Sequence, residues 1–196
     1  MLRISFADAR GSARTAAIFI DRDGVINCRR PDDYVLEPSQ FVFTPGIQAA
    51  LKQLSGTGLP IIVISNQAAV GKGLLSAEIL REITLKMQRE ISREGNLLAA
   101  VYYCPHRPDQ NCECRKPKPE LLFRAADDFG IDLSSSVFIG DSETDLEAAL
   151  AAGCKPVLFA SGLCSNPGKM ESRTEVPVAR SAEELFDVVM KCLGPK

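Results

Sequence analysis

The sequence predicts an α/β fold: a doubly wound, Rossmann-like three-layer sandwich with a parallel sheet at its centre. Short apolar runs alternate along the chain with amphipathic stretches of helical period. The runs are apolar at consecutive positions, which is typical of strands buried on both faces. Because crossovers between parallel strands are right-handed, this alternation leaves few other arrangements.

The length and composition predict a single domain over residues 1–196. The chain has 196 residues with 45% hydrophobic content, and its composition does not change along its length. A chain of this size can bury one sizeable core. We see no repeat and no low-complexity tract that would indicate a different architecture.

Five apolar runs predict the strands, and each is too short to form a helix. They cover residues 16–20, 60–65, 99–103, 137–140 and 156–159.

The stretches between the strands carry helix start and stop signals. The first has Thr44 as N-cap and Pro45 at the first helical position, and it ends at Gly56. A capping box formed by Ser181 and Glu184 starts the last helix. The other predicted helices cover residues 76–94, 119–130 and 145–152.

Three segments depart from this alternation. The polar insertions 27–40 and 104–118 are too short to form a folded cap domain, so the sequence predicts a capless architecture. Residues 161–180 are rich in Ser, Pro and Gly and are predicted to form a surface loop.

The charge balance excludes several classes of partner. With 23 Lys and Arg against 25 Asp and Glu, the net charge of −2 gives no reason to expect nucleic acid or an acidic membrane. We find no apolar stretch typical of a signal peptide or a membrane span. We therefore expect a cytoplasmic protein that acts as a monomer. In that compartment, clustered cysteines are more often metal ligands than disulfides.

Asp21 and Asp23 lie one residue apart where the first predicted strand ends. Open α/β sheets bind ligands at the carboxyl ends of their strands. Two carboxylates this close repel each other unless a cation such as Mg²⁺ keeps both ionised, and one of them could then attack phosphorus. The alternative is an Asp-Gly turn without chemistry.

Two further strand ends carry groups that could serve phosphoryl transfer. After the second strand, Ser65, Asn66 and Gln67 offer a hydroxyl, amides and backbone N–H groups to phosphate oxygens. After the fourth, Asp141 could complete a magnesium shell opposite Asp21. The alternative for this second segment is an acidic turn that caps the next helix, and it applies above all to Asp145.

Lys116 stands just before the third predicted helix. Its ammonium could offset the charge on Asp21 and on a transferred phosphoryl group. The alternative is a solvated surface lysine.

Taken together and in this order, these residues resemble the four motifs of the haloacid dehalogenase superfamily: Asp21-x-Asp23, Ser65, Lys116 and Gly140-Asp141-x-x-x-Asp145. The resemblance implies that Asp21 is a nucleophile forming an aspartyl-phosphate and that Asp23 is the general acid and base. It further implies that Asp21, the backbone carbonyl of Asp23 and Asp141 hold Mg²⁺. Since Asp23 must alternate between protonation states, we expect its pKa to lie near working pH.

The loop at residues 104–114 carries a second ligand set: Cys104, His106, Cys112 and Cys114. Four such ligands can close tetrahedrally on one zinc ion and leave no open position, so we assign a structural role. The alternatives are free thiols or a disulfide. Because Arg115 and Lys116 follow directly, a zinc-bound loop would hold these cations over the phosphate site.

This combination resembles the D,D-heptose 1,7-bisphosphate phosphatases and the related histidinol-phosphate phosphatases. The segments that favour the heptose branch are 102–106, 33–35 and 71–73. The resemblance implies hydrolysis of the C7 phosphate of a heptose bisphosphate. Asn66 and Gln67 would bind substrate, and Lys72 with Arg115 would recognise the distal C1 phosphate. A solvated cation is the alternative for Lys72.

Some features leave other functions open. The heptose enzymes tend to have Lys after the fourth-motif Asp, where this chain has Ser142, and the short zinc loop also resembles the histidinol type. A histidinol-phosphate phosphatase, or another small sugar-phosphate phosphatase, is therefore the enzymatic alternative. The non-enzymatic alternative is an inactive sugar-phosphate binder or a zinc-organised interaction module.

Overall fold

The computed structural model describes residues 1–7, 15–30, 34–93, 98–162 and 176–194. Seven strands form one sheet in the order β1-β4-β3-β2-β5-β6-β7. The strands are β1 (Leu2–Ser5), β2 (Ile18–Ile20), β3 (Ile61–Asn66), β4 (Leu98–Cys104), β5 (Val137–Gly140), β6 (Lys155–Phe159) and β7 (Val178–Ala179). The α-helices within these ranges are α1 (Ile47–Ser55), α2 (Ala68–Gly71), α3 (Ala77–Arg93), α4 (Glu120–Phe129), α5 (Glu143–Ala152) and α6 (Ala182–Leu193).

The sheet is parallel except where β1 pairs antiparallel with β4. At its centre, β2 lies between β3 and β5, with Phe19 opposite both Ile62 and Phe138. A parallel sheet brings the carboxyl ends of its strands to one edge, so the residues that follow β2, β3 and β5 meet there.

Helices cover both faces of the sheet, as predicted. Alternate strand residues such as Ile20 pack with α1, α3 and α6 in one hydrophobic cluster. Their neighbours, such as Phe19, pack with α4 and α5 in a second cluster on the other face. The doubly wound three-layer fold is therefore confirmed.

All five predicted strands are present, with ends that differ by up to two residues. Sequence patterning missed two edge strands. The strand β1 is short and alternates between half-buried and exposed positions, and β7 has only two residues. Edge strands of this kind lack the continuous apolar run that marks the buried strands.

The helix ends show two differences from the prediction. Helix α1 begins at Ile47 with Gly46 as its N-cap, rather than at Pro45 with Thr44 as its N-cap, because Gly46 adopts a positive φ of 77° before the first turn. A Cβ at Gly46 would lie 2.8 Å from the Glu183 carboxylate of α6, so the turn also permits close packing. Helix α5 begins at Glu143, two residues early, with Ser142 as N-cap. The last helix begins at Ala182 with Ser181 as its N-cap, as predicted, and the Ser181 hydroxyl accepts a hydrogen bond from the Glu184 N–H.

The insertions form little regular structure in the described residues. Each contains one turn of 3₁₀ helix, Pro38–Gln40 in the first and Pro108–Gln110 in the second. The predicted loop 161–180 lies partly outside the described residues, at 163–175, and where it is described it includes β7. Asp33 also lies outside the described residues. In the described part of the chain, we find no helix with the length and apolarity needed to span a bilayer.

Candidate active site

A cavity of about 250 Å³ opens at the carboxyl edge of the sheet. Seven predicted site residues line it: Asp21, Asp23, Ser65, Asn66, Gln67, Arg115 and Lys116. The lining also includes residues that sequence reasoning did not assign to the site: Arg22, Arg29, Tyr34, Ala68, Thr144, Ser142 and Asp145.

Lys116 connects two carboxylates at the base of the cavity. Its ammonium lies 2.8 Å from Asp21 Oδ1 and 2.6 Å from Asp145 Oδ1, and it also donates to the carbonyl of Ile64 at 2.9 Å. Although burial opposes the charge on Lys116, Asp145 and Asp21 hold its pKa above the ordinary value. Lys116 is therefore a fixed cation directly beside Asp21.

Asp145 serves the helix and the site at the same time. Its Oδ2 accepts hydrogen bonds from the backbone N–H and the hydroxyl of Ser142, which close a capping box at the start of α5. Its other oxygen pairs with Lys116. The interpretation of Asp145 as a helix cap therefore accounts for one of its two oxygens.

Asp21 is buried in a crowded acidic environment. The pKa of Asp21 is raised to about 7, with burial as the largest cause. The carboxylates of Asp145, Asp141 and Asp23 raise this pKa further, whereas the charge of Lys116 lowers it. The backbone of Asp21 is fixed, since its N–H donates to the carbonyl of Ile139 at 2.9 Å. A further positive charge is needed to keep this carboxylate ionised at neutral pH.

Asp141 is paired with an arginine that the sequence analysis did not identify. Arg29 Nε and one terminal nitrogen each donate to a different Asp141 oxygen at 2.8 Å. These hydrogen bonds are the largest effect on the Arg29 guanidinium and raise its pKa. The only sequence signal was a pair of basic residues in the first insertion, at positions 29 and 30.

The acidic residues fit a magnesium site. One carboxylate oxygen from each of Asp21, Asp141 and Asp145 lies within 4.8 Å of the others. Carboxylate oxygens are the hard ligands that Mg²⁺ prefers. Lys116 and Ser142 engage both oxygens of Asp145, which leaves Asp21 and Asp141 as the candidate ligands, and Arg29 would have to leave Asp141 for that residue to hold an ion.

The pKa of Asp23 differs from the expected value near working pH. Burial opposes its ionisation, but the charge and hydrogen bonds of Arg22, together with hydrogen bonds from Asn27 and Gln67, lower its pKa below the ordinary value. The Arg22 side chain is 1% exposed and donates to Asp23 Oδ1 at 2.9 Å. Without substrate, Asp23 is therefore ionised at neutral pH, and the expected pKa near working pH is not observed.

The residues after Ser65 support their neighbours. Asn66 exchanges two hydrogen bonds of 3.1 Å with the backbone of Lys116. Gln67 donates to Asp23 Oδ2 at 2.7 Å and to Ser65 Oγ at 3.1 Å. Both amide side chains thus position Lys116 and Asp23, in addition to lining the cavity.

Lys72 does not line this cavity. Its ammonium donates to the hydroxyl of Tyr34 at 2.8 Å, and Tyr34 does line the cavity. In this structure Lys72 contacts Tyr34, and its contact with a distal phosphate stays a prediction.

Two glycines allow the acidic residues to approach the backbone. A Cβ at Gly24, whose φ is 95°, would collide with the carboxylate of Asp141. A Cβ at Gly140 would collide with the side chain of Asp145. Any side chain at these two positions would displace a carboxylate of the site.

The cysteine and histidine cluster has the geometry of a tetrahedral metal site. The Sγ atoms of Cys104 and Cys112 are 3.5 Å apart, and those of Cys112 and Cys114 are 3.8 Å apart. His106 Nδ1 lies 3.6 Å from Cys104 Sγ and 3.3 Å from Cys114 Sγ. Zinc bond lengths in a tetrahedron require about 3.8 Å between sulfurs and about 3.5 Å between sulfur and nitrogen. The cluster is therefore compatible with a zinc site.

The cluster is tied to the active site through short connections. Gln67 N–H donates to the carbonyl of Cys104 at 2.7 Å. Arg115, which lines the cavity, donates to the carbonyl of His106 at 3.4 Å. These two contacts therefore connect the loop at residues 104–114 to the ends of β3 and β4.

Comparison with known proteins agrees with this arrangement. A HAD-hydrolase-like family model matches residues 113–185. The D-glycero-β-D-manno-heptose-1,7-bisphosphate 7-phosphatase of Pseudomonas aeruginosa is 37% identical over 145 residues, which cover 74% of this chain and 81% of the relative. The chain belongs to this family of haloacid dehalogenase-like phosphatases.

Other members of the family support the assignment. The enzyme of the same name from Helicobacter pylori is 38% identical over 154 residues, covering 78% of this chain and 86% of its own. The crystal structure of D,D-heptose 1,7-bisphosphate phosphatase from B. bronchiseptica, complexed with magnesium and phosphate, superimposes with a TM-score of 0.80 and 30% identity. That match covers 88% of this chain and 97% of the other.

Proposed function

We propose that this phosphatase hydrolyses the C7 phosphate of D-glycero-D-manno-heptose 1,7-bisphosphate through an aspartyl-phosphate on Asp21. The observation that carries the proposal is the placement of Asp21 beside Lys116 and Asp141 in a cavity with cationic residues around it. Relatives named for this reaction match most of the chain.

In the first step, an Asp21 carboxylate oxygen attacks phosphorus and the bond between phosphorus and the C7 oxygen breaks. Lys116 is placed to stabilise the charge on the phosphoryl oxygens, and preorganised charges of this kind are often the largest contribution to catalysis. Ser65, which lines the same cavity, would bind the same oxygens through its hydroxyl.

Asp23 would protonate the departing C7 oxygen and then take a proton from the water that hydrolyses the aspartyl-phosphate. In the structure this carboxyl is ionised, so it must gain a proton when substrate binds. A phosphate dianion close to Asp23 would raise its pKa through like-charge repulsion, which is the direction that the step requires.

The proposal includes a Mg²⁺ ion held by Asp21, Asp141 and the backbone carbonyl of Asp23. When bound, the ion supplies positive charge that keeps Asp21 ionised and stabilises charge on the transferred group. The raised pKa of Asp21 in the protein without metal supports this requirement.

We also propose a structural zinc ion bound by Cys104, His106, Cys112 and Cys114. The interatomic distances and the absence of a fifth position for a reactant support a structural rather than a catalytic ion. The cytoplasmic location expected from the sequence is part of the same proposal.

Two arginines in the cavity lining favour a bisphosphate over histidinol phosphate. Arg29 and Arg115 line the cavity, and Lys72 stands behind Tyr34. Histidinol carries an amine and an imidazole, which these cations would repel, whereas a second phosphate would be attracted. The histidinol reaction is thus the weaker candidate.

A comparison of phosphate release from the two substrates tests the proposal. We expect a much higher kcat/KM for the heptose bisphosphate, with activity in Mg²⁺ and none in EDTA. Comparing the α and β anomers of the bisphosphate in the same assay adds the anomeric preference. Faster turnover of histidinol phosphate would refute the substrate assignment, and no phosphate release from either would favour a binding protein.

A further inference from the structure

Arg29 is paired with the carboxylate of Asp141, which the proposed metal ion would also use as a ligand. Both oxygens of Asp141 accept hydrogen bonds of 2.8 Å from the Arg29 guanidinium, and the Asp141 side chain is 0% exposed. Asp141 is at the same time one of the carboxylates that converge as a candidate metal site. The same acidic group therefore faces two possible cationic partners.

These two partners compete. A Mg²⁺ ion bonds its ligand oxygens at about 2.1 Å, so an ion on Asp141 would lie close to a guanidinium bound to the same group. Repulsion between such charges is strong in a buried site. Asp141 has little freedom to turn away, because its carboxylate packs against the backbone of Gly24.

Arg22, Arg29 and Lys116 pair with carboxylates of the site in the described residues, and Arg29 is the most exposed of the three. Its side chain is 38% exposed, whereas those of Arg22 and Lys116 are 1% and 3% exposed. Arg22 and Lys116 are enclosed and hold several partners each. Arg29 lies at the cavity wall, where its guanidinium can turn towards solvent or towards a ligand.

We propose that Arg29 takes the place of the divalent cation in the metal-free protein, and that metal binding releases it to bind the substrate phosphate that is not hydrolysed. Arg29 lines the same cavity as Arg115 and Tyr34, so a released guanidinium joins a second cation there. The release does not depend on which substrate is used, whereas the second half rests on the proposed bisphosphate.

This arrangement couples the two ligands. Metal binding makes a cation available to the distal phosphate, and the distal phosphate in turn stabilises the released position of Arg29. By thermodynamic reciprocity, each ligand then strengthens the binding of the other.

The first test is calorimetric titration of Mg²⁺ into the full chain. Arg29→Ala and Arg29→Gln remove the competing charge, and Gln keeps hydrogen-bonding capacity in case Ala fails to fold. We expect both variants to bind Mg²⁺ roughly two- to fivefold more tightly, as expected for loss of a partly exposed ion pair. Arg89→Ala removes an equal charge from an exposed position on α3 outside the cavity and serves as control. Equal or weaker Mg²⁺ binding by the folded Arg29 variants would overturn the release mechanism.

The second test is the ratio of kcat/KM for heptose 1,7-bisphosphate to that for heptose 7-phosphate. We expect Arg29→Ala to lower this ratio by about tenfold or more, since a charge-assisted contact to the distal phosphate is lost. An unchanged ratio contradicts the second role of Arg29. If the unmodified protein hydrolyses neither compound, the proposed function itself fails, and the Mg²⁺ titration still decides the release mechanism.

Discussion

At the scale of single residues, the site is a buried set of carboxylates with too few fixed cations. Arg22 neutralises Asp23 and Lys116 lies between Asp21 and Asp145. Burial leaves Asp21 with a pKa of about 7. The proposed nucleophile therefore needs further positive charge to ionise fully, and the proposed Mg²⁺ ion would supply it.

Replacing the nucleophile tests its assignment. Asp21→Asn should lower kcat by about three orders of magnitude or more, because an amide cannot form the covalent intermediate. Its melting temperature at pH 8 without metal should be equal or higher, since a buried and poorly solvated charge is removed. Asp127→Asn changes an exposed carboxylate on α4 and provides the control for activity and for melting. More than trace turnover by Asp21→Asn would show that another group is the nucleophile.

The raised pKa of Asp21 also predicts a pH dependence of metal binding. Its folded pKa of about 7 exceeds the ordinary value of 3.8, so its contribution to stability is present below about pH 4 and is lost as the pH rises through about 7. Mg²⁺ replaces the proton on this carboxyl. We therefore expect the rise in melting temperature caused by Mg²⁺ to be small at about pH 5.5 and larger at about pH 8. A rise that shrinks over this interval would contradict the prediction.

The sequence predicted residues that the structure brings together in one site, but it did not predict their mutual electrostatics. Asp21, Asp23 and Lys116 were placed by their positions beside predicted strands and helices. The pairing of Arg29 with Asp141 joins residues 112 positions apart, and it depends on how the first insertion folds. The ionised state of Asp23 likewise depends on the burial of Arg22, whose guanidinium lies over the ring of Tyr103. Local patterns carry no signal for either contact.

At the scale of elements, the buried strands were predictable and the edges were not. Strands β2, β3 and β5 have consecutive apolar residues, which the sequence shows directly. The short helix α2 and the edge strands β1 and β7 are stabilised by their neighbours rather than by a pattern of their own. Helix starts were shifted where a glycine turn or a capping box set the first residue.

The loop before Lys116 gives a prediction at this scale. Cys112→Ser should release the zinc ion, and a hundredfold loss of metal affinity corresponds to about 2.7 kcal/mol of stability. We expect a lower melting temperature and about one zinc ion fewer per chain by elemental analysis. Cys192→Ser, in α6 and outside the cluster, should retain the metal. Abolished phosphatase activity with an unchanged melting curve and metal content would instead point to a catalytic role for Cys112.

At the scale of the whole molecule, the sheet supports the site through two separate hydrophobic clusters. The central strand β2 contributes to both, because Ile20 belongs to one cluster and Phe19 to the other. Asp21 follows this strand directly. The position of the nucleophile therefore depends on packing from both helix layers.

Truncating a central side chain should destabilise the whole fold. Phe19→Ala is expected to lower the free energy of unfolding by about 3 to 5 kcal/mol, because it leaves a cavity in the core. Phe123→Ala, at a position 42% exposed on α4, should change it by less than about 0.5 kcal/mol. Urea denaturation of both variants measures the difference, and similar losses for the two would argue against the described core.

The antiparallel strand β1 has a consequence for self-association. It covers the outer edge of β4, whose seven residues are all buried. Uncovered strands of this kind recruit other chains by backbone hydrogen bonding. Removing residues 1–7 would leave the catalytic groups untouched but would expose a template for aggregation, so this segment protects the protein without taking part in its chemistry.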